Sequence, residues 1–166
     1  MDDVASTERC PILTGRVWAF GLDAPADCIV PTNTDTGADL GGLLMTPVDP
    51  DFPNRIEPGD ILVAGTFGGG TASDVAVRAV IDAGISAIVA SSIDATFAQY
   101  AIDAGLPVVE VYEAMGIHTG ETLRVDLEGA RVVNMSSGNR YPIRNLDETM
   151  LQAYRKHLEE AAGEQD

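Results

Sequence analysis

The chain has 166 residues, 45% of them hydrophobic, with a formal net charge of −16 at pH 7 and a sequence pI near 4.2. That length fits one domain with a substantial core. The acidity excludes nucleic-acid binding through a basic face, and an anionic membrane would repel the chain.

Nine of the ten basic residues are arginine, and Lys156 is the only lysine. A surface rich in Asp and Glu and poor in Lys suits a high-salt cytoplasm, where self-repulsion is screened. A GC-rich genome would also favour Arg over Lys. The two cysteines, Cys10 and Cys28, cannot complete a four-cysteine metal site, and their spacing matches no zinc pattern. No metal is therefore expected on this chain, and the two cysteines read as incidental reduced thiols. No run reaches transmembrane length, and no basic, apolar signal region opens the sequence. A cytoplasmic protein is expected.

Residues 1–12 are expected to form a flexible N-terminus, and 163–166 a flexible acidic tail. The domain lies between them, at 13–162. Leu13 to Phe20 alternates as a strand, with Val17 and Trp18 as packing residues. Gly21 to Asp27 is a turn by composition, and Cys28-Ile29-Val30 is a short apolar piece stopped by Pro31. Thr32 to Asp39 is small, polar and rich in turn formers. Such a loop either gates a ligand or simply connects two elements. Leu40 to Met45 suits one helical turn. Prolines 47, 50, 53 and 58 then keep the chain extended up to Gly59-Asp60.

The stretch Ile61 to Ala83 organises the rest. It begins with an uncharged apolar run, the pattern of a buried strand. It turns through Gly65-Thr66-Phe67-Gly68-Gly69-Gly70. Val75, Ala76, Ala79, Val80 and Ala83 then recur at helical spacing. A strand, a glycine turn and a helix N-terminus gather unpaired backbone N–H groups and the positive end of a dipole, which suits a carboxylate or a phosphate. The same glycines also suit a tight turn or close helix–strand packing. The spacing is neither a P-loop nor Gly-x-Gly-x-x-Gly.

Ile85 to Ala90 is a second buried strand. Ser92 is the expected N-cap of a helix over Ile93 to Ala104, with Phe97, Tyr100 and Ala101 inward and Gly105 as its stop. Pro107 to Val111 is a third strand. This β-α-β-α-β order predicts an α/β fold with a parallel sheet and right-handed crossovers. Thr122 to Leu127 and Arg131 to Met135 alternate on either side of Glu128-Gly129-Ala130, a predicted hairpin. Tyr141-Pro142-Ile143 is a short edge piece. Asp147 is the expected cap of a last helix, Glu148 to Ala162, with Leu151, Tyr154 and Leu158 on one face. His118 and His157 lie far apart, and His157, among Arg155, Lys156 and Glu159, reads as a surface histidine.

Seven short segments carry a resemblance, in order and with little gapping. They are Gly15-Arg16-Val17-Trp18, Ile29-Val30-Pro31, Asp49-Pro50-Asp51-Phe52, Pro58-Gly59-Asp60-Ile61, Phe67-Gly68-Gly69-Gly70, Ala83-Gly84-Ile85-Ser86-Ala87 and Gly105-Leu106-Pro107-Val108. Over Gly15 to Leu151 the chain resembles the small subunit of 3-isopropylmalate dehydratase, the swivel domain of the aconitase superfamily. The resemblance implies a swivelling β/β/α domain: a central, mostly parallel sheet with flanking helices and a C-terminal β-hairpin. It implies a hydro-lyase inactive without a separate large subunit, which holds a 4Fe–4S cluster whose iron takes the leaving hydroxyl. This chain itself would bind no cofactor. Its partners would be that subunit and a small hydroxy acid, with no nucleic acid and no membrane.

In the family a Gly-Ser-Ser-Arg-Glu-His-Ala motif at a helix N-terminus supplies the base and a carboxylate-gripping arginine. Here it reads Gly70-Thr71-Ala72-Ser73-Asp74-Val75-Ala76. The resemblance therefore implies Thr71 as the catalytic hydroxyl. It implies Gly69, Gly70, Ala72 and Ser73 beside the substrate, with Asn33 and Thr34 from the recognition loop. The family's Asp-Thr-Asp reads Pro25-Ala26-Asp27, its Tyr-Leu-Arg-like loop reads Thr32-Asn33-Thr34-Asp35, and its Ser-Phe-Ala-Arg-Ile-Phe reads Ser92-Ile93-Asp94-Ala95-Thr96-Phe97. Fixed cations are lost and small hydroxyls gained. Each lost charge-assisted bond is worth roughly 1.5–3 kcal/mol to a carboxylate. The expected substrate is accordingly a hydroxy acid less anionic than isopropylmalate. The alternative is a non-catalytic binding or regulatory paralogue that keeps the fold and partner surface.

Overall fold

The computed structural model describes residues 12–21, 23–24, 29–30, 41–68, 73–144, 146 and 148–164. The expected flexible N-terminus up to residue 11, the polar loop at 32–39 and the Asp147 cap lie outside them. The described chain runs β1 (Leu13–Ala19), β2 (Asp23–Ala24), α1 (Phe52–Arg55), β3 (Ile61–Phe67), α2 (Ser73–Asp82), β4 (Ala87–Ile93), α3 (Ala95–Ala104), β5 (Val108–Glu110), β6 (Thr122–Asp126), β7 (Arg131–Asn134), β8 (Arg140–Pro142) and α4 (Glu148–Glu164). Short 3-10 turns occupy Gly41–Leu43 and Tyr112–Gly116.

All eight strands join one sheet in the order β5-β4-β3-β1-β6-β7-β8, with β2 also on β3. Pairs among β1 to β5 are parallel; β1–β6, β6–β7 and β7–β8 are antiparallel. Because β4 occupies one edge of β3, β1 and β2 share the other as one interrupted strand. Val17 stands opposite Ile61, and Asp23 opposite Thr66. Between them Phe20 N donates to Val63 O at 2.9 Å and Gly65 N to Gly21 O at 2.8 Å, across the φ of +77° at Gly21.

The strands β1, β3, β4 and β5 advance across the sheet in one direction. Right-handed crossovers therefore put their connections on one face. Leu62, Ala64, Ile88, Ala90 and Val108 meet Ala76, Val80, Phe97, Leu44 and Phe52 there in one buried cluster. The alternate residues Ile61, Val63, Ala87, Val89 and Val109 form a second cluster with Val17, Leu123, Val125, Val132 and Tyr154. Two buried faces explain the near-continuous apolar run in β3 and β4. Each buried aliphatic side chain contributes about 1.5–3 kcal/mol.

The hairpin turn after β6 is held by Asp126 Oδ1, which accepts Gly129 N–H at 2.9 Å. Helix α4 closes the second cluster. The Tyr154 hydroxyl accepts Val108 N–H at 3.3 Å. Arg155 grips both Glu128 carboxylate oxygens, Nε at 2.8 Å and Nη2 at 2.6 Å, and reaches Glu148 at 3.0 Å. Glu128 first, then Glu148, raise its guanidinium above the usual arginine value, against the opposing effect of burial. The side chains of His157 and Leu158 lie outside the described residues.

Several local expectations change. The proline-rich stretch before Gly59-Asp60 is not extended throughout, because Phe52–Arg55 form α1 with Pro53 in its first turn, where a missing N–H costs nothing. Strand β4 runs on to Ile93, because Ser92 pairs with Thr66 and Ile93 with Phe67 in the ladder. The cap of α3 is Asp94, whose Oδ2 accepts Phe97 N–H at 3.1 Å, not Ser92. Tyr100 is 45% exposed rather than inward; the buried stripe is Phe97 and Ala101 alone. Among the described residues no helix is long and apolar enough to cross a membrane.

The junction of β1 with β3 is pinned by Asp60, a buried carboxylate. Its Oδ2 accepts the Trp18 indole N–H at 2.7 Å and Glu57 N–H at 3.0 Å, with Arg16 at 3.6 Å. Arg16 in turn lies 4.8 Å over the Trp18 ring. Replacing Asp60 by Ala strands two donors in a buried site. Asp60→Ala is expected to lower stability by about 2–4 kcal/mol, measured by urea unfolding followed through the fluorescence of Trp18.

Candidate active site

The site expected from the sequence belongs at the carboxyl edge of the parallel strands. Thr66 and Ser92 stand side by side there, both exposed, followed by Phe67 and Ile93. Asp23 of β2 flanks Thr66 on the other side, and Glu110 ends β5 opposite Ala90. Ligands of open parallel sheets sit outside this edge.

Strand β3 delivers the chain to Gly68, and α2 begins at Ser73. Gly69, Gly70, Thr71 and Ala72 lie between them, outside the described residues, as do Asn33 and Thr34. Ser73 is the first residue of α2. Asp74 is exposed in that first turn, Val75 packs against the first core cluster and Ala76 is fully buried. The position that carries histidine in the sequence motif is thus used here for packing. Asp74 also complements the helix dipole.

Gly68 has a packing role of its own. Its φ is +90°, and a Cβ there would lie 2.6 Å from Phe97 Cβ and 3.1 Å from Asp94 Cβ. Asp94 N meanwhile donates to Phe67 O at 2.9 Å. The first glycine of the run therefore lets the start of α3 close on the end of β3. Gly68→Ala is expected to cost about 2–4 kcal/mol, part backbone strain and part overpacking; a denaturant midpoint that stayed at the wild-type value would refute this.

Several residues at this edge were not singled out from the sequence. Glu110 Oε2 accepts Ile93 N–H at 3.1 Å, tying the ends of β4 and β5 together. Arg144 donates its backbone N–H to Glu110 O at 2.9 Å, and its guanidinium carbon lies 3.4 Å from the centroid of the exposed Tyr112 ring. Ser91 Oγ reaches Tyr112 O at 3.1 Å. A charged residue closing an apolar strand was the available signal for Glu110. Arg144 gives no such signal, because its place depends on how β8 returns to β5.

A cavity of about 200 Å³ opens beside β1 and β3, lined by Ala19, Gly21, Val63, Met115, Ile117 and His118. Thr119 Oγ1 accepts Ala19 N–H at 2.8 Å, which fixes its rim. Glu121 holds the rim from behind, its Oε1 accepting His118 N–H at 2.6 Å and the amide of buried Asn134 at 3.2 Å. The His118 backbone N–H first, and then the Asn134 amide and the His118 charge, hold the Glu121 carboxyl below its usual value, while burial opposes them. A depressed carboxyl stabilises the fold above its unfolded value and loses that contribution as pH falls through the folded one. Urea unfolding from about pH 6 to about pH 3 should therefore show a shallower acid limb for Glu121→Gln than for wild type.

Among the described residues no group of three His, Cys, Asp or Glu side chains could hold a metal ion. With only two cysteines in the whole chain, the donor set also falls short of the four thiolates typical of an iron–sulfur cluster. The residues present do not fit such a group.

No protein-family model matches the chain. It is 35% identical over 143 residues to the 3-isopropylmalate dehydratase small subunit of Nautilia profundicola, covering 84% of this chain and 86% of that one. Identity is also 35%, over 146 residues, to the isopropylmalate/citramalate isomerase small subunit of Methanocaldococcus jannaschii, covering 85% and 87%. The crystal structure of a 3-isopropylmalate dehydratase from Methanocaldococcus jannaschii matches with a TM-score of 0.77 at 27% identity, over 94% of this chain and all of that one.

Proposed function

The chain belongs to the 3-isopropylmalate dehydratase small-subunit family, and from that premise we propose that it is the swivel subunit of a two-subunit hydro-lyase. The large subunit carries the 4Fe–4S cluster. This chain supplies a hydroxyl base, Thr71, between the end of β3 and the start of α2. Backbone N–H groups of residues 69 to 72 lower the pKa of that hydroxyl, and it takes a proton from a carbon of the substrate. Ser73, Asn33 and Thr34 contact the substrate through hydrogen bonds rather than charge. The substrate is a hydroxy acid less anionic than isopropylmalate.

One observation carries this reading. The relatives align over more than four-fifths of the chain. A base contributes roughly 10²–10⁴-fold to rate. The test is anaerobic co-purification with the large subunit encoded in the same genome, then assay against a panel of 2-hydroxy acids. Thr71→Ala should lower kcat by roughly 10²–10⁴-fold at little change in KM, and Thr71→Ser should restore most of it. A Thr71→Ala complex as active as wild type would remove Thr71 from the chemistry.

A second reading is a non-catalytic binding or regulatory paralogue. It is favoured by Ser73 and Val75 standing where the motif carries arginine and histidine. It expects a stable complex without turnover of any hydroxy acid, and any Thr71-dependent lyase activity ends it.

A further inference from the structure

Three of the nine arginines gather on the outward face of the antiparallel strands. Arg124 stands opposite Val133, and Val133 opposite Arg140. Two strand spacings therefore set Arg124 and Arg140 about 10 Å apart along one row. With Arg131 they line a depression of about 270 Å³ that includes Ile12, Val133 and Met135. Ile12 and Met135 are exposed. Among the described residues Asp126 is the single carboxylate lining it, 3.6 Å from Arg131. Arg124 and Arg140 make no ion pair among the described residues. The alternate residues Leu123, Val125 and Val132 point into the second core cluster.

In a chain of net charge −16, two arginines without an ion-pair partner among the described residues, beside exposed apolar side chains, give a local positive field set against its own surroundings. Arginine and methionine are also enriched in protein interfaces. A second copy docked patch to patch would oppose arginine to arginine. Nucleic acid would meet the repulsion of the whole chain. We infer that the outward face of β6–β8 is a docking surface for an acidic protein surface, with carboxylates arranged around an apolar contact. Resting on the reading above, the partner is the large subunit. Arg124 stands opposite Thr14, near the start of β1, the end of the parallel strands remote from Gly68. The face would hold the complex together without touching its chemistry.

The experiment measures binding of this chain to the purified large subunit at about 0.05 M and about 0.3 M KCl. Wild-type affinity should fall with salt. The Arg124→Glu/Arg140→Glu double variant should lose at least roughly tenfold in affinity at low salt, and most of the salt dependence. At saturating large subunit its kcat should match wild type, and Arg124→Lys/Arg140→Lys should recover most of the affinity. Circular dichroism checks the fold, and Arg124→Gln/Arg140→Gln replaces the reversal if β6–β8 is disturbed. Unchanged affinity in folded variants overturns the inference while leaving the assembly standing. Absence of any wild-type complex overturns the assembly, and this inference with it. Loss of self-association of the chain alone in the double variant would make the occupant a second copy, which also overturns it.

Discussion

The sheet depends on how β1 meets β3, and Asp60 fixes that meeting. One carboxylate oxygen takes an indole N–H from β1 and a backbone N–H from the turn before β3. The register that follows puts Val17 beside Ile61 and Trp18 beside Leu62. A slip of one residue would exchange the two faces of β1 and turn Val17 out of the core. Because β3 is paired along both edges, its register propagates to β4 and β2, and hence to the edge where the motif is anchored.

That edge is built for rigidity on the β3–β4 side. Phe67 and Phe97 pack with ring centroids 5.7 Å apart, Asp94 caps α3, and Glu110 ties β4 to β5. The hydroxyls of Thr66 and Ser92 and the carboxylates of Asp74, Asp94 and Glu110 give the described rim a polar, largely anionic character.

Much of this was legible in the sequence because it rests on local signals. The apolar runs of β3 and β4, the Gly105 stop and the alternation around Glu128-Gly129-Ala130 each follow from backbone preference or burial. The cap of α3 was displaced by two residues because ladder pairing of Ser92 with Thr66 outcompeted a serine cap, a tertiary effect that no local window contains. The exposure of Tyr100 has the same origin: α3 turns Phe97 and Ala101 fully into the core, with Ala98 and Ile102 partly buried against it, and leaves Tyr100 outside. The roles of Glu110 and Arg144 depend on β5 and β8 approaching through long-range pairing. The positions proposed to face the substrate, 33, 34 and 69–72, come from motif resemblance alone, since such chemistry rests on a few side chains rather than on periodicity.

The hydroxyl of Tyr154 has a consequence beyond the core it fills. By taking the Val108 N–H, it occupies a main-chain donor on β5, a strand at the margin of the sheet. The opposite margin ends in β8, three residues long and containing Pro142, which has no N–H to offer. Neither border is a ready template for an incoming extended segment, so cross-strand polymerisation is discouraged at both ends. A polypeptide arranged this way can crowd at high concentration and still meet other molecules through side chains instead of through its backbone.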